Sequence, residues 1–286
     1  MSERLRLAVP NKGRLVEPVL ALLRDAGLSF EDHRRSLVAR VLNLDLDLLF
    51  VRTEDIVEFV ADGVADVGIT GLDLLAESGA ELPRLRDLGI GRCRLAVAVP
   101  NDSPARTVRD LAGLRVATAH PNAARRFFER QAVRVEVIRL SGSVEVAPRL
   151  GLAEAIVDLV ATGSTLVVNG LREVAPVLES EATLIANPAA RLRRAETIDG
   201  LDTMLSAVVA ARSRKYLMMN APASRLAELE ALLPGLESPS VIPLAHEGMI
   251  ALHSVVGADD VWALLPRLRA AGASGILVLP IEKIVP

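Results

Sequence analysis

The sequence has a single cysteine, Cys93, in 286 residues. One thiol cannot form a disulfide within the chain, which excludes a small disulfide-held scaffold and favours a reducing compartment. The opening stretch MSERLRLAVPNKGRL lacks the long apolar core of a signal peptide, and no apolar run reaches the length of a membrane span. We therefore expect a cytoplasmic protein with no membrane partner.

An excess of positive charge is also missing. The net charge is −3 and the pI is near 5.9, which argues against a general nucleic-acid or anionic-membrane binder. The sequence shows no Ser-His-Asp arrangement, no zinc-type Cys/His spacing and no Walker loop. With 51% hydrophobic and 24% charged residues, the chain is expected to fold into two or three compact units.

The most informative stretch is EVAPRLGLAEAIVDLVATGSTL, Glu145 to Leu166. The apolar run Ala155–Val160 is typical of a strand buried in a parallel sheet. It leads into Thr162-Gly163-Ser164-Thr165 and a helix start, where backbone N–H groups and hydroxyls make a good anion cradle. With the carboxylates of Glu145 and Asp158 upstream, the pattern predicts a site for a phosphorylated sugar. An ordinary capped turn fits the spacing equally well.

Together with NGLREV, which follows it, this stretch resembles the phosphoribosyl pyrophosphate segment of the ATP phosphoribosyltransferase family, which opens histidine biosynthesis. Glu154 stands where an aspartate is common in the family. The motif NKGR at positions 11–14 resembles the family's opening motif. The segments KYLMMNAP, PGLESPSVIPL and GASGILVLPIEKIV resemble the C-terminal regulatory domain of its long form, so the resemblance covers essentially the whole chain.

The resemblance implies an α/β fold with a bilobal, periplasmic-binding-protein-like catalytic core and a C-terminal ferredoxin-like (βαββαβ) regulatory domain. It implies transfer of the 5-phosphoribosyl group from phosphoribosyl pyrophosphate to N1 of ATP, with Mg²⁺ as cofactor. It further implies inhibition by histidine, with dimers as the active assembly and hexamers as the inhibited one.

Site residues follow from the same resemblance. Those expected to hold the 5′-phosphate are Thr162, Gly163, Ser164 and Thr165, and those expected on the ribose hydroxyls are Glu145 and Asp158. The residues expected to offset phosphate charge are Lys12 and Arg14. The residues expected on the nucleotide side are Arg52, Gly71 and Asp73. Those expected near the effector are Asn220, Ser238, Ser240 and Ala273. The metal ligands stay open, and His120, on a loop where the family often has tyrosine, is assigned no role.

The domain organisation is predicted as lobe I from 1–90 with 182–212, lobe II from 91–181 and the regulatory domain from 213–286. Thr53 is predicted to cap a helix over Glu54–Asp62. Asp66 and Asp158 lie at the same offset from a Thr-Gly pair, which suggests two similar α/β lobes facing a shared cleft.

Three other functions remain open. A two-lobe core also fits a solute-binding module, although the missing signal peptide and the acid-plus-TGST pattern argue against it. A ligand-sensing regulator would need a DNA-binding helix pair or a basic stripe, and the sequence has neither. A catalytically weak paralogue that serves only as an allosteric partner is the third alternative.

Overall fold

The computed structural model describes residues 4–31, 36–233, 235–236 and 238–285. One compact unit comprises the chain up to Arg24 with Leu28–Asp202, and the other comprises Asp25–Gly27 with the chain from Thr203 onwards. The division between these two units falls at 202/203, inside a helix.

The first unit contains two sheets and their helices. Its strands are β1 Leu5–Pro10, β2 Val38–Arg40, β3 Leu46–Val51, β4 Val67–Gly71, β5 Arg84–Asp87, β6 Cys93–Pro100, β7 Arg115–Thr118, β8 Glu136–Arg139, β9 Ala155–Val160, β10 Leu171–Ser180 and β11 Ala182–Ala186. Its helices are α1 Val16–Asp25, α2 Ile56–Ala61, α3 Leu72–Ser78, α4 Pro121–Arg130, α5 Ser164–Val168, α6 Pro188–Arg193 and α7 Ala195–Arg212, whose second half enters the other unit. Short 3₁₀ turns lie at Thr53–Asp55, Val108–Leu111 and Val144–Val146.

The two sheets share the same arrangement of their central strands. The first has the order β2-β3-β1-β4-β11-β5 and the second the order β10-β6-β9-β7-β8. In each, a central strand (β1 or β7) pairs in parallel with a neighbour on both sides, and an antiparallel strand (β11 or β6) follows. This arrangement confirms the predicted bilobal α/β core, and the carboxyl ends of the parallel strands in each lobe form one edge.

The register of the internal repeat differs from the prediction. The backbone N–H of Arg6 donates to Asp66 at 2.8 Å, and that of Arg115 donates to Glu154 at 2.9 Å. Each carboxylate directly precedes its strand, so the structural counterpart of Asp66 is Glu154. The matching of Asp66 with Asp158 was therefore wrong, because Asp158 lies inside β9 whereas Asp66 lies before β4.

One further expectation about local structure needs correction, and one strand was not anticipated. Thr53 does not cap a helix: it begins the 3₁₀ turn, and its hydroxyl donates to the Lys12 carbonyl at 3.4 Å. Strand β10 was not predicted, because Pro176 and its charged neighbours argue against a strand interior. The structure accommodates Pro176 through register shifts on either side of it, on an edge strand.

The second unit contains β12 Arg214–Pro222, α8 Leu226–Leu232, β13 Ser240–Pro243, β14 Met249–Gly257, α9 Val261–Ala270 and β15 Ser274–Pro280. Its sheet is antiparallel with the order β13-β14-β12-β15, which confirms the ferredoxin-like prediction. Alternate strand residues such as Leu217 and Leu252 pack against Leu229 and Leu268 of the helices. Over the part of the chain that the structure describes, no helix has both the length and the apolar character needed to cross a bilayer.

Candidate active site

A cleft of about 650 Å³ lies between the two lobes of the first unit. Lobe I contributes the loop after β1, the turn after β3 and the start of α3, while lobe II contributes the segments after β7 and β8. Its cationic lining residues are Lys12, Arg14, Arg52 and Arg139, and its acidic ones are Glu54, Asp55 and Asp73. Carboxyl ends of parallel strands are the usual ligand-binding edge of such sheets, and the cations suit an anionic ligand.

A larger cavity of about 910 Å³ lies beside α3 and β10. Its three arginines already have partners within the protein. Arg84 pairs with Asp87, Arg126 donates to the Ala76 carbonyl, and Arg92 lies 3.9 Å from Glu181. The interlobe cleft is therefore the better candidate for phosphate binding.

The Thr162–Thr165 loop follows β9 at the same edge of the lobe II sheet. Gly163 has φ +84° and open space around it, so glycine is favoured here by its backbone conformation rather than by crowding. The hydroxyls of Thr162 and Ser164 lie 2.9 Å apart, and both side chains are exposed. The loop thus presents hydroxyls to solvent beside the cleft, although it does not line the 650 Å³ volume itself.

Glu145 and Asp158 lie close enough for their charges to interact. Burial raises the pKa of Asp158 above its ordinary value, and the neighbouring charge of Glu145 raises it further. A hydrogen bond from the Leu159 N–H, at 2.8 Å, acts in the opposite direction. The structure thus brings together the two carboxylates that were predicted to hold the ribose.

The guanidinium of Arg14 already has partners within the protein, so it is less available to a ligand than an unpaired arginine. Its guanidinium donates to the Gly91 carbonyl at 2.7 Å and lies 2.9 Å from the Cys93 sulfur. Burial raises the pKa of the Cys93 thiol, and the charge of Arg14 opposes that shift. Lys12 and Arg52 are exposed, so they are the freer cations on lobe I.

Asp73 is the centre of a buried polar cluster that joins the lobes. Its side chain accepts a hydrogen bond from Ser180 Oγ at 2.6 Å, and its other oxygen lies 3.3 Å from His120 Nε2. Burial acts to raise the pKa of Asp73, but the hydrogen bonds from His120 and Ser180, with the Arg14 charge, bring it below its ordinary value. Gly71 is buried, and a Cβ there would lie 2.2 Å from Asp73 Oδ1, so its missing side chain makes room for the carboxylate.

Sequence reasoning missed two members of this cluster. Ser180 ends the strand that was not predicted and lies 107 positions from Asp73 in the chain. His120 was assigned no role, yet it is buried, its Nε2 contacts Asp73 and the residue is among those that line the cleft. Only the position of His120 after a predicted strand hinted at its place.

A second set of contacts between the lobes joins α3 to the start of α4. The carboxylate of Glu77 accepts from the backbone N–H groups of Asn122 at 3.0 Å and Ala123 at 2.8 Å. The side chain of Asn122 donates to the Glu77 carbonyl at 3.1 Å. The N-terminus of α4 is thus capped by a residue of the other lobe and is not a phosphate site.

The family profile described as ATP phosphoribosyltransferase matches residues 52–207, and that of the HisG C-terminal domain matches residues 211–283. The chain belongs to the ATP phosphoribosyltransferase family. It is 48% identical to an ATP phosphoribosyltransferase of Gemmatimonas aurantiaca and 43% identical to one of Methanosarcina mazei, each alignment covering 99% of this chain and 100% of the relative. The Thermotoga maritima ATP phosphoribosyl transferase (HisG:HisZ) complex contains a chain that is 31% identical, with a TM-score of 0.65; the match covers 73% of this chain and 99% of that one.

Family membership makes this protein an enzyme of the pentosyl-transferring class with the long-form architecture. It decides against the solute-binding module and the ligand-sensing regulator.

The predicted effector residues of this transferase differ in exposure and in their position relative to the sheet. Asn220 of β12 and Ser240 of β13 are exposed, and they lie opposite Ala251 and His253 of β14. Because those two partners share a face of β14, Asn220 and Ser240 lie on one face of the sheet. Ser238 is exposed in the preceding loop, whereas the Ala273 side chain is buried in the core.

Proposed function

We propose that this transferase moves the 5-phosphoribosyl group of phosphoribosyl pyrophosphate to N1 of ATP and releases pyrophosphate, the first step of histidine biosynthesis. The observation that carries the proposal is the cleft between the lobes. Its lobe I wall carries cations, and a hydroxyl-rich loop and two carboxylates lie beside the cleft on lobe II. The names of the relatives, full-length matches among them, support the same activity.

The phosphoribosyl group is assigned to lobe II. The 5′-phosphate binds at Thr162–Thr165, where hydroxyls and the backbone of Gly163 are accessible. Glu145 and Asp158 accept hydrogen bonds from the ribose hydroxyls. The raised pKa of Asp158 in the free protein supports this role, because a buried carboxylate without enough donors gains from hydroxyl donors on a ligand.

The diphosphate and triphosphate groups are assigned to the cationic wall. Lys12 and Arg52 are exposed there, and Arg139 faces them from lobe II. Among the described residues, no group of three or more His, Cys, Asp or Glu side chains is arranged to hold a metal ion. Glu145 and Asp158 would hold a phosphate-bound Mg²⁺ through water, and such an ion would offset negative charge on the diphosphate.

The chemistry is a displacement at the anomeric carbon. Adenine N1 forms a bond to C1′ while the bond from C1′ to the diphosphate oxygen breaks, and pyrophosphate departs with the electron pair on the opposite face. The centre gains oxocarbenium character, so the carboxylates near the ribose and the cations near the diphosphate act where charge develops. Holding both substrates in line supplies the remaining acceleration, and no covalent nucleophile is needed.

The second unit is assigned the regulatory role. Histidine binds it and inhibits the reaction, and the enzyme exchanges between active dimers and inhibited hexamers. The match to the HisG C-terminal domain supports this assignment, as do Asn220 and Ser240, two exposed polar residues on one face of the sheet. Ala273 shapes the core under that region rather than contacting the effector with its side chain.

A product assay tests the catalytic proposal. The enzyme is incubated with ATP, phosphoribosyl pyrophosphate, Mg²⁺ and pyrophosphatase, with and without histidine, and the product is identified by mass. Phosphoribosyl-ATP that histidine suppresses is the expected result. Product that histidine leaves unchanged would refute the regulatory role alone, and binding without product would favour the silent allosteric partner.

Variants then test the sugar site. Thr162→Val should raise the KM for phosphoribosyl pyrophosphate by about tenfold, since it removes one hydroxyl donor to a charged phosphate, and should leave the KM for ATP unchanged. Thr197→Val, an exposed position on α7, is the matched control. Equal kinetics for the two variants would contradict the site assignment.

A further inference from the structure

The chain passes between the two lobes at two neighbouring places. The first crossing, residues 88–92, lies between β5 and β6, and the second, Glu181, lies between β10 and β11. The two crossings touch, since the backbone N–H of Ala182 donates to the Ile90 carbonyl at 2.9 Å and that of Gly89 donates to the Glu181 carboxylate at 2.7 Å. Side chains beside these crossings can therefore contact residues of both lobes.

The first crossing holds Arg14, a cation of the cleft wall. One terminal nitrogen of its guanidinium donates to the Gly91 carbonyl at 2.7 Å, and the other lies 2.9 Å from the sulfur of Cys93, the first residue of β6. A Cβ on Gly91 would lie 2.2 Å from Leu15 Cδ2, so the chain next to Arg14 packs directly against this crossing. A guanidinium has five N–H donors, and these two contacts leave the others for a ligand in the cleft, where Arg14 is exposed.

The second crossing holds Asp73 and connects it with Cys93. Ser180, the last residue of β10, donates from Oγ to Asp73 Oδ1 at 2.6 Å and accepts from the Asp73 backbone N–H at 3.0 Å. Its hydroxyl also adjoins Cys93, where it opposes the rise in the pKa of the thiol that burial causes. The charges of Asp73 and Arg14 interact. Arg14, Cys93, Ser180 and Asp73 thus form one polar cluster that spans both crossings.

We propose that Cys93 and Ser180 are positioning residues of the transfer reaction, which hold the Arg14 guanidinium in the direction in which it meets a phosphate group of the substrates. The inference rests on the proposed function, in which the diphosphate and triphosphate groups bind the cationic wall of the cleft. Cys93 and Ser180 do not line that cleft, so they act through Arg14 and not by touching a substrate.

Positioning of this kind contributes to both binding and rate. A guanidinium that the protein already holds loses little freedom when a phosphate binds, so less binding energy is spent on ordering it. It also keeps its direction while charge develops on the leaving diphosphate, which is the condition for stabilising the transition state without reorganisation.

Matched variants test the proposal by steady-state kinetics with ATP and phosphoribosyl pyrophosphate. Cys93→Ser keeps an acceptor for Arg14 and Cys93→Ala does not, although their side chains have nearly the same volume. Ser180→Ala removes the hydroxyl that contacts Asp73. Thr183→Val is the control, because it removes a buried hydroxyl that donates to a carbonyl outside the cluster, that of Arg86. Thermal unfolding verifies that each variant is folded.

Each variant is also made together with Arg14→Lys, since lysine lacks the fork that bonds to the first crossing. With native Arg14, kcat/KM should fall about tenfold in Ser180→Ala and about threefold in Cys93→Ala, because a thiol is a weak acceptor. Cys93→Ser and Thr183→Val should stay within about twofold of the wild type. Beside Arg14→Lys, every further loss should shrink to less than about twofold, because residues that act through one group are not additive.

Equal losses in Cys93→Ser and Cys93→Ala, or losses that persist in full beside Arg14→Lys, would overturn the proposal and leave both residues a packing role. The two Cys93 variants decide the matter if Ser180→Ala does not fold. If Arg14→Lys is too slow to assay, calorimetric binding of phosphoribosyl pyrophosphate gives the same comparison. A wild type that forms no phosphoribosyl-ATP would refute the proposed function instead, and the binding comparison would still decide the positioning role.

Discussion

The contact between Glu77 and α4 allows a quantitative prediction about how the lobes are held together. Glu77 accepts the N–H groups of Asn122 and Ala123, which are the second and third residues of α4, the two donors that a helix cap usually satisfies. The side chain of His120, at the cap position itself, makes no capping bond. Replacing Glu77 with alanine therefore leaves both donors without their acceptor.

The magnitude follows from the two effects that are lost. Removing a cap costs about 1 kcal/mol, and removing a negative charge from a helix N-terminus costs about 0.3–1 kcal/mol. The free energy of unfolding of the first unit should fall by about 1–2 kcal/mol, which lowers its melting temperature by roughly 2–8 °C. Glu77→Gln keeps an acceptor oxygen but removes the negative charge, so its free energy of unfolding should fall by less.

The assay must report on the first unit. The single tryptophan, Trp262, lies in the second unit and is 89% exposed, so its fluorescence is unsuitable. Hydrogen exchange of the peptide that contains Asn122 and Ala123 is the direct measurement, with melting followed by far-ultraviolet circular dichroism. Glu129→Ala, an exposed acid on the same helix, is the control. If Glu77→Ala exchanges and melts like Glu129→Ala, the interlobe cap has no energetic role and the reasoning is refuted.

Two further predictions concern Gly71, which adjoins Asp73, and Asp158, which lies in β9. Gly71→Ala should destabilise the first unit by about 1–3 kcal/mol, because a Cβ 2.2 Å from Asp73 Oδ1 must displace that carboxylate; Gly200→Ala, in open space on α7, should be neutral or slightly stabilising in the same urea titration. At neutral pH, Asp158→Asn should be more stable than the wild type although less active. The reason is that the folded-state pKa of Asp158 is raised, so the wild type loses stability as pH rises above the ordinary carboxyl value of about 4. A wild type and an asparagine variant with parallel pH profiles of melting temperature would contradict that cause.

Local sequence was sufficient for elements whose apolar runs have clear ends. The strand Ala155–Val160 has the bounds of the predicted apolar run, which only Asp158 interrupts. Where local signals conflict, prediction failed. The strand Leu171–Ser180 contains a proline that only an edge position with register shifts can tolerate, and its neighbours in the sheet are not visible in the sequence.

The candidate site divides in the same way. The Thr162–Thr165 loop and the carboxylate Asp158 are close together in the chain. Their composition and spacing were therefore enough to propose them as site residues. Hydroxyls near a glycine at a helix start favour anions in most folds that place a strand before them. The partnership of Asp73 with Ser180 and His120 has no such local signature.

The sequence by itself determined the α/β class, the ferredoxin-like arrangement of the C-terminal unit and the family, because these rest on periodicity and on contiguous motifs. Tertiary structure alone decided that Glu154 rather than Asp158 matches Asp66, that Glu77 caps α4, and that Asp73 orients His120. Each of these is a hydrogen bond between residues brought together by sheet register or by the meeting of two lobes. A hydrogen bond forms only when the donor–acceptor distance is correct to within a few tenths of an ångström. The sequence specifies only the order of the elements.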